Sequence, residues 1–242
     1  MALSGPPPRQ KYGPGAVLQP DRSAHYGAAR YRAVAMSQRT DRLEAARLEG
    51  LVRASEWFMG VLDAVRACGA PDCWVGAGAL RDLVWDGLHG GFRPERVKDA
   101  DVAFFDPQDL RPERDQAVEG ELARLLPEVH WDAKNQAAVH LWYERRFGVP
   151  VEPLRSTADG VATWPETATA VALQLRQDGR LVVVAPCGLS DLLNGVCQRN
   201  PRRVSVEEYR RRVSAKRIAE RWPRVRVIDP ADEPAPGTRY PA

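Results

Sequence analysis

Cysteine, histidine and long apolar runs are among what this sequence has little of. Its four cysteines, Cys68, Cys73, Cys187 and Cys197, form no Cys-x-x-Cys pair, and there are only four histidines in 242 residues. That spacing argues against a zinc site or a disulfide framework and for free, buried thiols. No stretch approaches the about 18–20 apolar residues of a membrane span. The first residues are proline-rich and polar, unlike a secretory leader. The expected setting is therefore the cytoplasm, with no membrane partner. An excess of one charge is missing too. Lys and Arg number 35 against 32 Asp and Glu, a net charge of +3, which does not by itself mark a nucleic-acid binder.

The chain is long enough to bury a full core, and its 44% hydrophobic content is that of an ordinary globular protein. Composition divides it into three parts. Residues 1–35, with Pro6, Pro7, Pro8, Pro14 and Pro20, carry no periodic apolar face and read as a disordered tail. Residues 36–225 read as one folded domain and 226–242 as a Pro-rich C-terminal tail. Met36 stands just before the first helical pattern, so a product starting there would keep the whole folded part.

The most informative stretch runs from Trp74 to Asp106. A short apolar run, Trp74-Val75, ends in Gly76-Ala77-Gly78, and Leu80, Leu83, Val84 and Leu88 follow at helical spacing. After a loop with Gly90, Gly91 and Pro94 comes Lys98-Asp99-Ala100-Asp101-Val102, entering a second apolar run. In a strand, residues i and i+2 share a face, so Asp99 and Asp101 would present two carboxylates together. Hard oxygen ligands so placed suit Mg2+ or Mn2+. A glycine turn opening a helix lets backbone amides of Gly76 and Gly78 approach a polyphosphate, with Arg81 as a fixed cation in the first turn. Lys98 either helps hold phosphate or is a solvated strand-edge residue. Together these are the parts needed for transfer of a nucleotide.

This order resembles the polymerase-beta-like nucleotidyltransferase superfamily, in particular the glycine-turn Arg-Asp and Asp-x-Asp pair of CCA-adding enzymes. It is more similar still to the small bacterial group called nucleotidyltransferase family protein. Lys134-Asn135-Gln136-Ala137-Ala138-Val139-His140, Trp164-Pro165-Glu166-Thr167-Ala168-Thr169 and Ala185-Pro186-Cys187-Gly188-Leu189-Ser190-Asp191-Leu192 carry that similarity, which runs from about Leu51 to Pro223. The resemblance implies an α+β fold, a nucleotidyltransferase-like mixed sheet flanked by helices. It implies an NTP substrate and a divalent metal on Asp99 and Asp101. It also implies a third carboxylate, for which Asp132 is best placed and Glu166 is the reserve. One departure stands out: Ala77 sits where the superfamily has its second glycine, and its Cβ would crowd a backbone–phosphate contact.

Other segments leave alternatives open. Asn135, Gln136 and His140 could read a nucleotide or satisfy backbone groups. His89 could contact substrate or cap a helix, and Asp106 reads as a turn former. Ala168 to Leu175, alternating with Val171, Leu173 and Leu175 on one face, and Leu181 to Ala185, around Asp178-Gly179, read as a hairpin, and Gly188 to Val196 as a helix. Ser205 with Glu208 opens the most basic helix, carrying Arg210, Arg211, Arg212, Lys216 and Arg217 up to Pro223. That helix fits RNA or polyphosphate, or a solvated face. The expected activity is transfer of a nucleoside monophosphate from NTP to an acceptor hydroxyl, RNA being one candidate acceptor. The rivals are a non-catalytic nucleotide- or RNA-binding module that retains the fold, and a toxin-like enzyme.

Overall fold

A computed structural model of the protein describes residues 38–232. The lead expected over 1–35 and residues 233–242 of the expected C-terminal tail lie outside the described residues. Helix α1 spans Gln38–Arg53 and α2 spans Glu56–Ala67. Ser55 separates them as an N-cap, its Oγ accepting from the Phe58 amide at 3.2 Å. Leu48 and Val52 of α1 and Phe58, Val61, Leu62 and Val65 of α2 are buried stripes at helical spacing. The chain then enters β1, Trp74–Gly76, turns directly into α3, Ala77–Gly87, and returns as β2, Ala100–Phe104. Helix α4, Pro112–Leu125, starts with proline and with Glu113 and Asp115 in its first turn, both suited to a helix N-terminus. Strand β3, Trp131–Asn135, and α5, Val139–Phe147, follow, and Gly148 at φ 72° ends that helix.

The second half is more broken. It comprises α6, Thr157–Val161, the strands β4, Ala172–Leu175, and β5, Leu181–Val184, α7, Ser190–Leu193, and β6, Val196–Cys197. Helices α8, Val206–Lys216, and α9, Ile218–Arg221, and strand β7, Arg226–Val227, complete it. The main sheet has the order β3-β2-β1-β4-β5. Only β2 and β3 run parallel, joined by the α4 crossover, and the other pairs are antiparallel. This is the mixed sheet flanked by helices that the sequence led us to expect.

Local departures have local causes. The alternating run before the hairpin starts as a 3-10 turn at Thr167–Thr169, so the strand proper begins at Ala172. The helix expected over Gly188 to Val196 is a single turn, because Gly195 takes φ 65° and leads into β6. The basic helix stops at Lys216, with Arg217 left-handed at φ 51°, before α9. Arg226 and Val227, assigned to the tail by composition, pair in parallel with Val196 and Cys197. The hydroxyl of Tyr209 lies between the Cys197 carbonyl (2.8 Å) and that of Ile228 (3.1 Å), fastening this small sheet. A two-residue strand shows no periodicity, so its sequence gives no sign of it.

Two contacts fix α3. On one side a Cβ on Gly76 would collide with the Val171 carbonyl oxygen and come within 2.8 Å of Ala172 Cα, so β1 reaches β4 only with glycine there. On the other, Trp85 and Trp222 meet edge to face at 5.2 Å, Trp85 Nε1 donating to the Leu192 carbonyl and Trp222 Nε1 to Asp86 Oδ1. Between β1 and α3 stands Ala77 at φ 49°. That left-handed conformation costs an alanine about 1–2 kcal/mol, part of which a glycine returns as unfolded-chain entropy. Ala77→Gly is therefore expected to raise stability by about 0.5–1 kcal/mol, seen as a higher urea midpoint at unchanged slope. A lower midpoint would show that the Ala77 methyl contributes more by packing than its backbone costs.

Candidate active site

The strand register assembles an acidic floor. Gly76 is the partner of Asp101 across β1 and β2, and Asp101 is the partner of Asp132 across the parallel pair β2 and β3. Residues in register share a face, so Asp101 and Asp132 stand side by side, with Asp99 two residues upstream on the same side. All three line a cavity of about 790 Å³, within the size range of small-molecule sites. Burial pushes the Asp101 carboxyl up to about 6; the Gly78 amide works against this, and the negative charges of Asp99 and Asp132 add to it. Asp101 Oδ2 accepts from the Gly78 amide at 3.0 Å, and Asp132 Oδ1 pairs with Lys134 Nζ at 2.7 Å. Asp99 has no hydrogen bond or ion pair among the described residues.

This donor set fits one kind of cation site and not another. Among the described residues no three His, Cys, Asp or Glu groups are gathered as a protein-only metal cage. Mg2+ seldom asks for one; it takes one or two carboxylates and completes its shell with water and substrate phosphate. A half-buried carboxylate whose proton affinity is raised by burial first and by its acidic neighbours second, with one oxygen tied down by an amide, suits that arrangement.

The glycine turn is built differently from the expected phosphate cradle. The Ala77 amide donates to the Val171 carbonyl at 3.2 Å, and the Gly78 amide is given to Asp101. A Cβ on Gly78 would stand 3.1 Å from Asp101 Oδ2. Gly76 and Gly78 thus serve close approach, of β1 to β4 and of α3 to the floor, and the positive end of α3 faces a protein carboxylate. Arg81 is also committed. Its guanidinium grips Asp82 Oδ1 through Nε (2.9 Å) and Nη2 (2.5 Å), with Cζ 5.0 Å from the Trp222 ring centroid. Asp82 Oδ2 is taken by Arg221 at 3.0 Å. Arg81 lines the cavity, but as one member of an Arg–Asp–Arg ion group in which Arg81 and Asp82 are buried and Arg221 reaches solvent. Lys98 is exposed at the cavity edge and has no ion pair among the described residues.

The cations that do face the floor come from α8. Ser205, Glu208, Arg212, Ala215 and Lys216 line the cavity at helical spacing. The outward arginines are neutralised on the surface, Arg210 by Asp229 and Arg211 by Glu208. Inward, Arg212 Nε donates to Glu166 Oε1 at 2.9 Å, Lys216 Nζ lies 3.4 Å from both Glu166 oxygens, and Thr169 Oγ1 donates to Oε2 at 2.8 Å. Burial would raise the Glu166 carboxyl, yet Lys216 and Arg212 outweigh it and hold the group at about 2. Lys216 is itself lowered, by burial first and by Arg81 and Arg212 as well, while Glu166 and Asp101 push it back up. Glu166, the reserve third carboxylate, is thus a saturated anion that orients two cations. Spacing on one helix side could have separated Arg212 and Lys216 from their outward neighbours; composition alone pooled them.

The remaining polar residues hold the frame. Asn135 accepts from the amides of Ala137 and Asp106 and donates to the carbonyls of Asp106 and Asp109. Gln136 Nε2 donates to the Lys134 carbonyl, and the buried Nδ1 of His140 has no hydrogen-bond partner among the described residues. His89 bonds the Trp85 carbonyl and accepts from the Arg224 amide. Asp106 closes its turn through the Gln108 amide and holds Arg114. All four cysteines are free, Cys68 Sγ lying 3.9 Å from Cys73 Sγ. No helix among the described residues is long and apolar enough to cross a membrane.

Comparison with known proteins bears on this site. A family model described as nucleotidyltransferase matches residues 63–227. An NMR structure described as revealing a CCA-adding enzyme head domain superposes with TM-score 0.64 at 28% identity, over 76% of this chain and 95% of that one. The Thermotoga maritima CCA-adding enzyme complexed with tRNA gives TM-score 0.42 at 15% identity over 71% of this chain and 38% of its own. A tRNA-processing enzyme complex gives 0.41 at 16% over 69% and 43%. The chain spans less than half of either of these two longer proteins. No curated protein sequence matches it.

Two outcomes are expected from the electrostatics. The folded-state pKa of Asp101 lies above its unfolded value of 3.8, so the folded protein binds more protons between about pH 4 and 6. Its contribution is fully favourable below 3.8 and is lost as pH rises through about 6. Without divalent metal, Asp101→Asn should therefore stabilise at pH 7.5 by about 1–2 kcal/mol, a gain that vanishes by pH 4. A pH-independent effect in urea titrations would sink this account. Glu166 is the opposite case: its contribution is present above 4.5 and lost only as pH falls through about 2. Glu166→Gln should cost about 2–3 kcal/mol at pH 7, because Arg212 and Lys216 lose their shared anion. A cost below about 0.5 kcal/mol would show that solvent already screens the cluster.

Proposed function

Because the chain belongs to the nucleotidyltransferase family, we propose that it transfers a nucleoside monophosphate from an NTP to an acceptor hydroxyl and releases pyrophosphate. One observation carries the reading: Asp99, Asp101 and Asp132 line the same cavity as Arg212 and Lys216, the inward cations of α8. A triphosphate with a divalent cation carries both charges, and this cleft is lined by both.

In this reading Asp99 and Asp101, with Asp132 beside them, hold Mg2+ or Mn2+, which when bound supplies charge neutralisation at the transferring phosphoryl group. Arg212 and Lys216 bind the β- and γ-phosphates, a task the sequence assigned to Gly76, Gly78 and Arg81. Lys98, without an ion pair, adds a mobile cation at the edge. The acceptor oxygen forms a bond to the α-phosphorus while the bond from that phosphorus to the bridging oxygen breaks. The leaving pyrophosphate stays between Arg212 and Lys216, whose charges meet the negative charge it gains. The acceptor's proton passes to Asp132 Oδ2, the oxygen not engaged by Lys134. The Arg81–Asp82–Arg221 group holds α3, and with it the Gly78 amide that orients Asp101. RNA is the acceptor class we favour, on the sequence resemblance to CCA-adding enzymes and the likeness to a CCA-adding enzyme head domain.

The test is incubation with each labelled NTP, Mg2+ or Mn2+ and total cellular RNA, scoring pyrophosphate release and label transfer. The expected result is activity with at least one NTP that falls about 100-fold or more in Asp99→Asn with Asp101→Asn, and strongly in Arg212→Met. Wild-type protein that binds Mg-NTP yet transfers nothing to RNA or to small hydroxyl acceptors would replace this reading with a non-catalytic binding module. Absence of any NTP binding would count against the site itself.

A further inference from the structure

Helix α5 turns an aromatic row toward the cavity. Val139, Trp142, Tyr143 and Phe147 follow the spacing of one helix side and all line it. The Tyr143 and Phe147 ring centroids are 4.6 Å apart, tilted 42°, and those of Trp142 and Tyr143 5.9 Å apart, tilted 40°. Arg203, in the turn ahead of α8, places Cζ 4.8 Å from the Tyr143 centroid. Unlike Arg210 and Arg211, Arg203 has no carboxylate partner among the described residues, and it is partly buried. Phe147 remains 42% exposed, and Val149, just past the helix, 55%.

A core would cover these rings, and a surface arginine would find an acid or water. An aromatic row beside a stacked, unneutralised guanidinium is instead matched to a planar ring that carries phosphate. Bases stack on aromatic faces and on arginine planes, and every base has such a face. The row lies on the same cavity as the acidic floor and the α8 cations.

We infer that Trp142, Tyr143 and Phe147, with Arg203, form the platform on which the base of the incoming NTP stacks, an assignment that rests on the nucleotidyltransferase reading. Four polar side chains on this side of the cavity are already engaged. Gln136 Nε2 donates to the Lys134 carbonyl at 3.0 Å, Thr163 Oγ1 to the Gly160 carbonyl at 2.8 Å, and Glu208 is held by Arg211. Lys134 is shared between Asp132 and Glu119. With those four engaged, the platform selects by stacking area, so purine nucleotides bind better than pyrimidine nucleotides.

Equilibrium binding of ATP, CTP and inorganic tripolyphosphate in Mg2+, with no acceptor, tests this by calorimetry. Tyr143→Ala should weaken ATP by about 10-fold while leaving tripolyphosphate unchanged, and Tyr143→Phe should restore ATP binding. Arg203→Lys, which keeps the charge and removes the plane, should also weaken ATP more than tripolyphosphate. Equal losses for ATP and tripolyphosphate, or no loss for either, would overturn the inference. So would a Tyr143→Ala protein that binds ATP normally but has lost affinity for a short single-stranded RNA, because the row would then belong to the acceptor. If wild-type protein binds ATP, any of these failures leaves the nucleotidyltransferase reading standing. If it binds no nucleotide, both fall together.

Discussion

Three backbone segments meet within contact distance at Gly76–Gly78, and the site depends on that meeting. Gly76 has no room for a side chain against β4, and Gly78 has little against Asp101. Because both are glycines, β1 can lie between β2 and β4 while α3 starts at once, its first free amide on the Asp101 carboxylate. The bond is charge-assisted and sits at the positive end of a helix, so it favours the ionised acid. Burial and the two neighbouring aspartates disfavour that form more strongly, and the carboxyl settles near 6. The turn places the central acid of the floor and fixes which of its oxygens is already used.

The same economy explains why Arg81 is not a loose phosphate hook. It sits one turn into α3, facing the C-terminal elements. There Asp82, Arg221 and the Trp85–Trp222 pair form a knot between α3 and α9, buried except for Arg221. Two arginines around one aspartate, stacked on indole faces, keep a planar geometry that lysine could not supply. The knot anchors the chain just after α8, and so sets where α8 lies over the floor. In the proposed function Arg81 would therefore act on the phosphate side indirectly, through the helix it holds in place.

What could be read from the sequence follows from how local each signal is. The glycine turn, the Asp99–Asp101 spacing and the Ala168–Ala185 hairpin rest on neighbours in sequence, and the structure contains each of them, the hairpin from Ala172 onward. Asp132 was placed by chain order alone, and the parallel register of β2 and β3 sets it beside Asp101. The use of the Gly78 amide was not legible, because its partner is 23 residues away. Nor was the use of Glu166, whose cations lie 46 and 50 residues further on. The stacking of Arg203 on Tyr143 was not legible for the same reason: an aromatic residue on a short polar helix and an arginine in a basic run show no link until the fold brings them together.

The cleft's electrostatics are unbalanced in a way that bears on how it would work. The floor holds three acids against Lys134, and the wall holds Arg212 and Lys216 against one saturated Glu166. Attraction between Lys216 and Asp101 links the two sides, but Asp101 stays raised and Lys216 stays lowered, so neither side neutralises the other. Each charge is thus harder to form there than in water, at a cost to the folded chain. A ligand carrying a divalent cation on one side and phosphate oxygens on the other would relieve both at once. A lone cation would leave the wall unsatisfied, and a lone anion would leave the floor so. Metal and triphosphate should therefore bind cooperatively, each lowering the cost the other meets, which follows from linkage and requires no movement of the backbone.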